Sequence, residues 1–410
     1  MPKLKENLGF HLWIAFLLVL IAGAGVGVYQ DRVHEAANLN DRIPWGLWIM
    51  IDISASAIGA GALGIAALVY IFGIKRFEPL ARVAMLVGFL GYSSAALSLM
   101  ADLGRPDRFW HSIIYWNVRS PLWAVTWSVI LCTGSVIIGL LPAILESSLL
   151  ADQTVFRRLA PIARQAAPVA ATCAAVLALL HQAAVGVSYG VIKARPIWFK
   201  PSMPIIVVTL ALSAGLAFTI ALVAITSRLK KRDVVDHTLL RQVAQIAGLV
   251  IVVGLFIRLW DLAATTYYSP LPILVKKTNL LYAQTPYELG FVIGEIILGS
   301  VAPAILLLSP NLNRRSRNLV MAGILSTLGL FLNRWDTTLT GLVATVSYSP
   351  SNPEIILTPY FPALAEWLVA LGIAAYATLV YTLAVRFLPI FETEAEIVEH
   401  SPEAAPVAAT

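Results

Sequence analysis

Apolar runs close to the ~20 residues that a helix needs to cross a bilayer recur ten times along the chain. They lie near residues 9–29, 46–74, 81–101, 119–142, 165–189, 203–226, 240–262, 286–309, 316–338 and 363–388, with short polar segments between them. The pattern predicts an all-α polytopic membrane protein with ten transmembrane helices. The first run is too long for a cleavable signal peptide, and Gly23-Ala24-Gly25-Val26-Gly27 within it reads as a surface for close helix packing. Gly59-Ala60-Gly61-Ala62-Leu63-Gly64 in the second run reads the same way.

Lys and Arg give the orientation. Compact basic loops at Lys75-Arg76, Arg157-Arg158, Arg228 to Arg232 and Arg314 to Arg317 place those segments, and both termini, on the cytoplasmic side. The tail from about residue 390 has five glutamates among Pro and Ala and reads as a disordered, solvated end. The opposite connections are longer and aromatic: Arg105 to His111, Pro196 to Pro201, and Tyr267-Tyr268-Ser269-Pro270. They read either as interfacial belt anchors or as a docking surface for a partner protein.

Composition adds exclusions. Of 410 residues, 59% are hydrophobic and 13% charged, against about 25% charged in soluble chains, so no separate soluble domain is expected. Cys132 and Cys173 lie in different apolar runs and form no CxxC or CxxCH pattern. Neither an iron–sulfur cluster held by this chain nor covalently attached haem is therefore expected. The basic balance reflects topology, since no stripe suited to nucleic acid appears.

Nine ionisable residues within the runs fall toward the outer side: Asp52, Asp102, His181, Arg258, Asp261, Glu295, Arg334, Asp336 and Glu366. A charge at the bilayer centre costs on the order of 3 kcal/mol, which makes such residues functional candidates. Simpler readings compete. Arg258 and Asp261, at i and i+3, fit a helix-end ion pair; Arg334, Asp336 and Glu366 fit snorkelling to the interface; Asp102 fits a tie to its own loop. His181 and Glu295 each lie roughly 12 Å into their spans at 1.5 Å per residue, too deep for that. The inner half offers only hydroxyl and amide groups, among them Ser93, Ser94, Ser98, Thr126, Ser128, Gln242, Gln245, Ser326 and Thr327. A water wire and plain helix-to-helix bonding both fit these.

A protonatable histidine beside carboxylates suits proton exchange with an apolar, membrane-soluble substrate such as a quinone. Transmembrane haem normally needs two histidines, and His11, the only other one in a span, lies in the opposite leaflet. No metal site is expected either.

Four segments carry a resemblance. Trp45-Gly46-Leu47-Trp48-Ile49-Met50-Ile51-Asp52, Asp102-Leu103-Gly104-Arg105-Pro106-Asp107-Arg108-Phe109-Trp110, Leu180-His181-Gln182-Ala183-Ala184-Val185-Gly186 with Pro196-Ile197-Trp198, and Asn333-Arg334 with Tyr360-Phe361-Pro362 all contribute. In order and spacing they resemble the NrfD/polysulfide-reductase membrane-subunit family, in its ten-span branch, over residues 45 to 390. In one departure, Ala183 and Ala184 stand where the family has serines after His-Gln.

The resemblance implies two four-helix bundles, spans two to five and six to nine, with one helix at each end. The expected units are 1–30, a first bundle 31–190 holding the quinone pocket, a second bundle 191–340, an outer loop with the last helix 341–389, and the tail 390–410. It also implies a quinone, menaquinone in the first instance, as substrate near the outer face, and no redox cofactor in this chain. Electrons pass through an outer ferredoxin-like iron–sulfur subunit and a further catalytic subunit of molybdopterin, hydrogenase or multihaem cytochrome type. The setting is a bacterial or archaeal cytoplasmic membrane. The expected chemical residues are His181, Asp52, Asp102 and Glu295. The expected quinone contacts are His181, Gln182, Trp45, Trp48, Trp110, Asn117, Arg258 and Arg334. A secondary transporter and a passive membrane anchor are the alternatives.

Overall fold

The computed structural model describes residues 2–147, 153–268, 287–347 and 354–391. The acidic tail from 392 onward, and Ser269 and Pro270 of the Tyr267 to Pro270 segment, lie outside the described residues. The long helices are α1 (Pro2–His34), α2 (Leu47–Tyr70), α3 (Glu78–Asp102), α4 (Pro121–Leu145), α5 (Thr154–Gly190), α6 (Met203–Lys230), α7 (His237–Ala263), α8 (Leu289–Leu308), α9 (Ser316–Trp335) and α10 (Leu364–Phe387). Nine of these are long and apolar enough to cross a membrane. Among the described residues α9 is not one of the nine, because Arg317, Asn318, Asn333 and Arg334 make both of its ends polar. The chain is a multi-pass helical membrane protein.

Helix ends follow local chemistry. Ser120 caps α4 by accepting from the Trp123 backbone N–H at 3.4 Å, and Pro121 follows where no N–H is needed. Asp236 caps α7 through the Thr238 N–H at 3.1 Å. The fifth helix begins at Thr154, well before the apolar run at 165, and carries Pro161 and Pro168 inside it. Hydrophobicity marks only the part of a helix that needs an apolar surrounding, so the polar extension through Arg157, Arg158 and Arg164 was invisible to it.

The second helix is the hub. In its most apolar stretch 72% is buried, against 11% for α1 at the periphery. It packs on α3, α5 and α6; α3 packs on α4, and α4 on α5. On the other side α6 packs on α7 and α9, α7 on α8, and α8 on α9. The first helix lies along α10, which also touches α3. The two sides meet where α2 crosses α6. A Cβ on Gly61 would lie 2.0 Å from the Ala211 carbonyl, and one on Gly215 would lie 2.5 Å from Gly61 Cα. Only glycine at both positions allows that approach, so the small-residue run in α2 serves close helix packing as its sequence indicates.

Two features depart from a purely helical expectation. Ala344–Ser347 and Glu354–Leu357 pair as an antiparallel ribbon, with Ala344 opposite Leu357. The backbone also widens into π-helical turns at Ala264–Tyr268, Leu289–Val301 and Asp336–Thr340. Most of the hydroxyls expected in the inner half bond to their own helix: Ser93, Thr126, Ser128 and Thr327 donate to carbonyls three or four residues back. Ser98 instead crosses to the Trp48 carbonyl at 2.6 Å.

Candidate functional site

His181 lies in the C-terminal half of α5 and is 2% exposed. Its Nδ1 is 3.4 Å from the Tyr92 hydroxyl of α3 and 3.2 Å from Gln182 Nε2. The Tyr92 ring meets the imidazole edge-on, with centroids 5.3 Å apart. Gln182 Nε2 also donates to Ser56 Oγ of α2 at 3.4 Å. In this orientation the amide nitrogen can only donate, so Nδ1 accepts and the neutral ring carries its proton on Nε2. That Nε2 makes no hydrogen bond among the described residues, and the buried Gln182 Oε1 is without a partner.

Asp52 lies one helical turn before Ser56 on α2, half-buried, and makes no hydrogen bond among the described residues. It interacts electrostatically with Asp102, Tyr92 and Tyr189. Asp102 ends α3 with its Oδ1 buried and unpartnered. Its loop is held by Arg32 of α1, which donates to the carbonyls of Ala101 (2.8 Å), Leu103 and Gly104 (3.3 Å). Arg32, more than Asp102, therefore ties that loop down. Neither aspartate touches His181, so neither orients it directly. Tyr92 and Gln182 meet the imidazole instead, and Ser56 bonds Gln182. Tyr92 and Ser56 were missed because a hydroxyl inside an apolar run looks the same whether it serves a histidine or a neighbouring carbonyl.

The tryptophans separate. Trp45 stacks on Trp198 at 5.5 Å and meets Tyr189 edge-on at 5.7 Å. Tyr189 bonds Thr338 at 3.1 Å, and Trp198 donates to the Thr337 carbonyl. This aromatic group joins α5, the loop after it and the segment after α9. Trp48 is fully buried, with its Nε1 unpartnered. Trp110 and Asn117 lie on the exposed connection between α3 and α4, where Trp110 donates to the Asp107 carbonyl at 2.9 Å. Beside Arg105, the exposed Asp107 carboxyl is held below the usual carboxylate range. The structure thus brings neither Trp110 nor Asn117 to His181. The aromatic connections also differ from each other. Phe109, Trp110, Tyr115 and Trp116 are exposed, whereas Ile197 and Trp198 are core residues and present no docking surface.

A second polar cluster lies among α6, α7, α8 and α9. Arg258 pairs with Glu295 Oε2, which also accepts from Asn333 Nδ2 at 2.9 Å. Asp261 is held instead by Lys200 at 2.6 Å and by Ser202, off its own helix. Both carboxylates find partners on other elements, which helical spacing cannot reveal. Arg334, Asp336 and Glu366 do not snorkel either. They are 1%, 6% and 0% exposed. Arg334 donates to the Asn333 side chain at 3.4 Å and the Val207 carbonyl at 3.3 Å. Glu366 accepts from the backbone of Leu47 and Ala363 and from the Tyr360 hydroxyl.

Two cavities lie away from His181. One of about 450 Å³ opens between the ends of α2 and α4 and the starts of α3 and α5, beside Glu78, Arg82 and Arg164. Another, of about 310 Å³, is an apolar slot between α10 and the α2–α3 pair.

Residues 35–346 match the family described as polysulphide reductase, NrfD, and the chain belongs to that family. Among curated relatives, it is 30% identical to the menaquinone reductase integral membrane subunit of Nitratidesulfovibrio vulgaris, over 95% of this chain and 93% of that one. It is 24% identical to the Hdr-like menaquinol oxidoreductase integral membrane subunit of Archaeoglobus fulgidus, over 94% and 96%. It is 23% identical to a selenate reductase subunit of Mesobacillus selenatarsenatis, over 93% and 95%.

Proposed function

We propose that this chain is the quinone-exchanging membrane subunit of a multi-subunit respiratory oxidoreductase, with a menaquinone as substrate. The observation that carries the reading is the buried imidazole of His181, whose Nδ1 is engaged and whose Nε2–H is left to donate to a quinone oxygen. Asp52, without a hydrogen-bond partner among the described residues and one helical turn before Ser56 on α2, is the candidate for proton supply. A quinone accepting two electrons also takes two protons, one on each oxygen, so a donor and a proton source at one site are the minimum chemistry. The names of the relatives, two of them menaquinone or menaquinol proteins, support the same substrate class.

Within this reading all ten long helices cross the membrane, with both termini cytoplasmic. The neighbour relations fit two groups, α2 to α5 and α6 to α9, flanked by α1 and α10. The exposed aromatic connection at Phe109 to Trp116 belongs to the outer face and receives an iron–sulfur partner, through which a further catalytic subunit delivers or takes electrons.

His181→Ala in the assembled complex tests the proposal. Loss of quinone turnover by about a hundredfold, the lower range for removal of a positioned proton donor, is expected with assembly intact. Near wild-type turnover in an intact complex overturns the site.

A further inference from the structure

Glu78 and Arg82 lie one turn apart at the start of α3 with the acid first, a spacing and order at which such side chains ordinarily pair. Here they do not. Arg82 donates to the Pro389 carbonyl at 3.2 Å, and the exposed Glu78 carboxylate makes no hydrogen bond or ion pair among the described residues. Both line the cavity of about 450 Å³ at the end of the helices that carries the basic segments Lys75-Arg76 and Arg157-Arg158. A third charge, Arg164 of α5, also lines it and is held by Glu146, just after α4, at 2.6 Å.

The hollow has a local cause. Pro142 inside α4 and Pro168 inside α5 both line it, and a proline within a helix removes a backbone bond and bends the axis. Gly139, Ala143, Ala167 and Ala171 line it too and fill little of the space. Its volume falls in the roughly 300–1,000 Å³ range of ligand pockets. The remaining wall is apolar, with Met85 and Leu140.

This lining suits a molecule with an anionic group, a cationic group and a hydrocarbon part. A guanidinium has five N–H donors in a fork that matches phosphate, and Arg82 gives one of its own to Pro389. The free Glu78 carboxylate accepts only, so its partner must be a cation that carries N–H. We propose that the cavity binds an ethanolamine-type phospholipid. Arg82 and Arg164 receive the phosphate, Glu78 accepts from the primary ammonium, and the acyl chains start against Met85 and Leu140. A choline headgroup has no N–H for Glu78, and a glycerol headgroup brings it no cation. Roughly 25 Å along α5 separates Arg164 from His181, so the inference does not rest on the quinone site.

Native mass spectrometry of the purified full chain tests it. The chain is offered an equimolar mixture of phosphatidylethanolamine, phosphatidylcholine and phosphatidylglycerol with matched acyl chains. Retention of phosphatidylethanolamine should exceed that of each of the others by about fivefold, the worth of one charge at a membrane surface. Basic segments alone attract anionic lipid, so a preference for phosphatidylglycerol, or no preference, overturns the site. Glu78→Gln should remove the preference for ethanolamine over choline, and Arg82→Gln should lower phosphatidylethanolamine retention by about fivefold. Retention unchanged in either folded variant overturns it as well. Glycerophosphoethanolamine, which lacks acyl chains, should not displace the lipid at equal concentration; if it does, the ligand is a soluble phosphate ester and the lipid assignment falls. The three-lipid comparison needs no variant, so a variant that fails to fold leaves the test standing.

Discussion

The Glu366 carboxylate, at the start of α10, accepts from the backbone N–H of Leu47, 319 residues earlier, at 2.8 Å. It thereby occupies an otherwise orphan donor in the first turn of α2 while satisfying its own helix through Ala363 at 3.0 Å. The Gly46 position is part of the arrangement, because a Cβ there would lie 2.4 Å from Glu366 Oε2. One buried acid therefore joins the last helix to the hub.

Glu366→Ala strands several buried donors, each worth about 1–3 kcal/mol when left unpaired. Thermal unfolding of the purified chain should show a large loss of stability, and Glu366→Gln a smaller one. Gly46→Ala should cost about 1–3 kcal/mol through overpacking. Combined with Glu366→Ala it should add little, because the clash partner is gone.

The Tyr360 phenol is pushed well above its ordinary value by burial and then by the Glu366 carboxylate. A raised value in the folded state means that the folded chain holds this proton more tightly than the unfolded chain does. The resulting stability is complete below the ordinary tyrosine value of 10.0 and is lost as pH rises above it. Tyr360→Phe should flatten this alkaline loss in a stability-against-pH series.

Lys200 and Asp261 form a pair whose side chains are 17% and 8% exposed. Lys200→Met leaves Asp261 buried without its cation and should cost about 3 kcal/mol, the lower range for breaking a buried pair. Lys200→Met with Asp261→Leu should recover most of that loss. A denaturant or thermal comparison of the three proteins reads the effect.

Tyr92→Phe keeps the ring against His181 and removes only the hydroxyl. A neutral hydrogen bond of about 1 kcal/mol corresponds to roughly a fivefold effect. Quinone turnover in the assembled complex should fall by about that factor and the pH profile should shift, with folding unchanged. A purely structural role for Tyr92 would leave the profile where it is.

Much of this was legible in the chain. The apolar runs located every long helix, because the cost of placing peptide groups and charges in lipid imposes length and composition locally. The small-residue run in α2 announced a close helix contact, since only glycine allows two backbones to touch, but not that the partner is α6. His181 and Glu295 stood out as ionisable groups too deep to reach the interface, whereas Glu366 read as a snorkelling group and is in fact fully buried. The partners of those groups were not legible. Asp261 is held by Lys200 and Ser202 off its own helix, Glu366 reaches Leu47 across the whole chain, and His181 is met by Tyr92 and Gln182 rather than by Asp52 or Asp102. Sequence by itself determined which segments are helical and which residues must be compensated once buried, because both follow from local transfer energies. The tertiary structure alone decided who compensates whom, because hydrogen bonds and ion pairs depend on distances of about 3 Å between elements whose separation along the chain carries no geometric information.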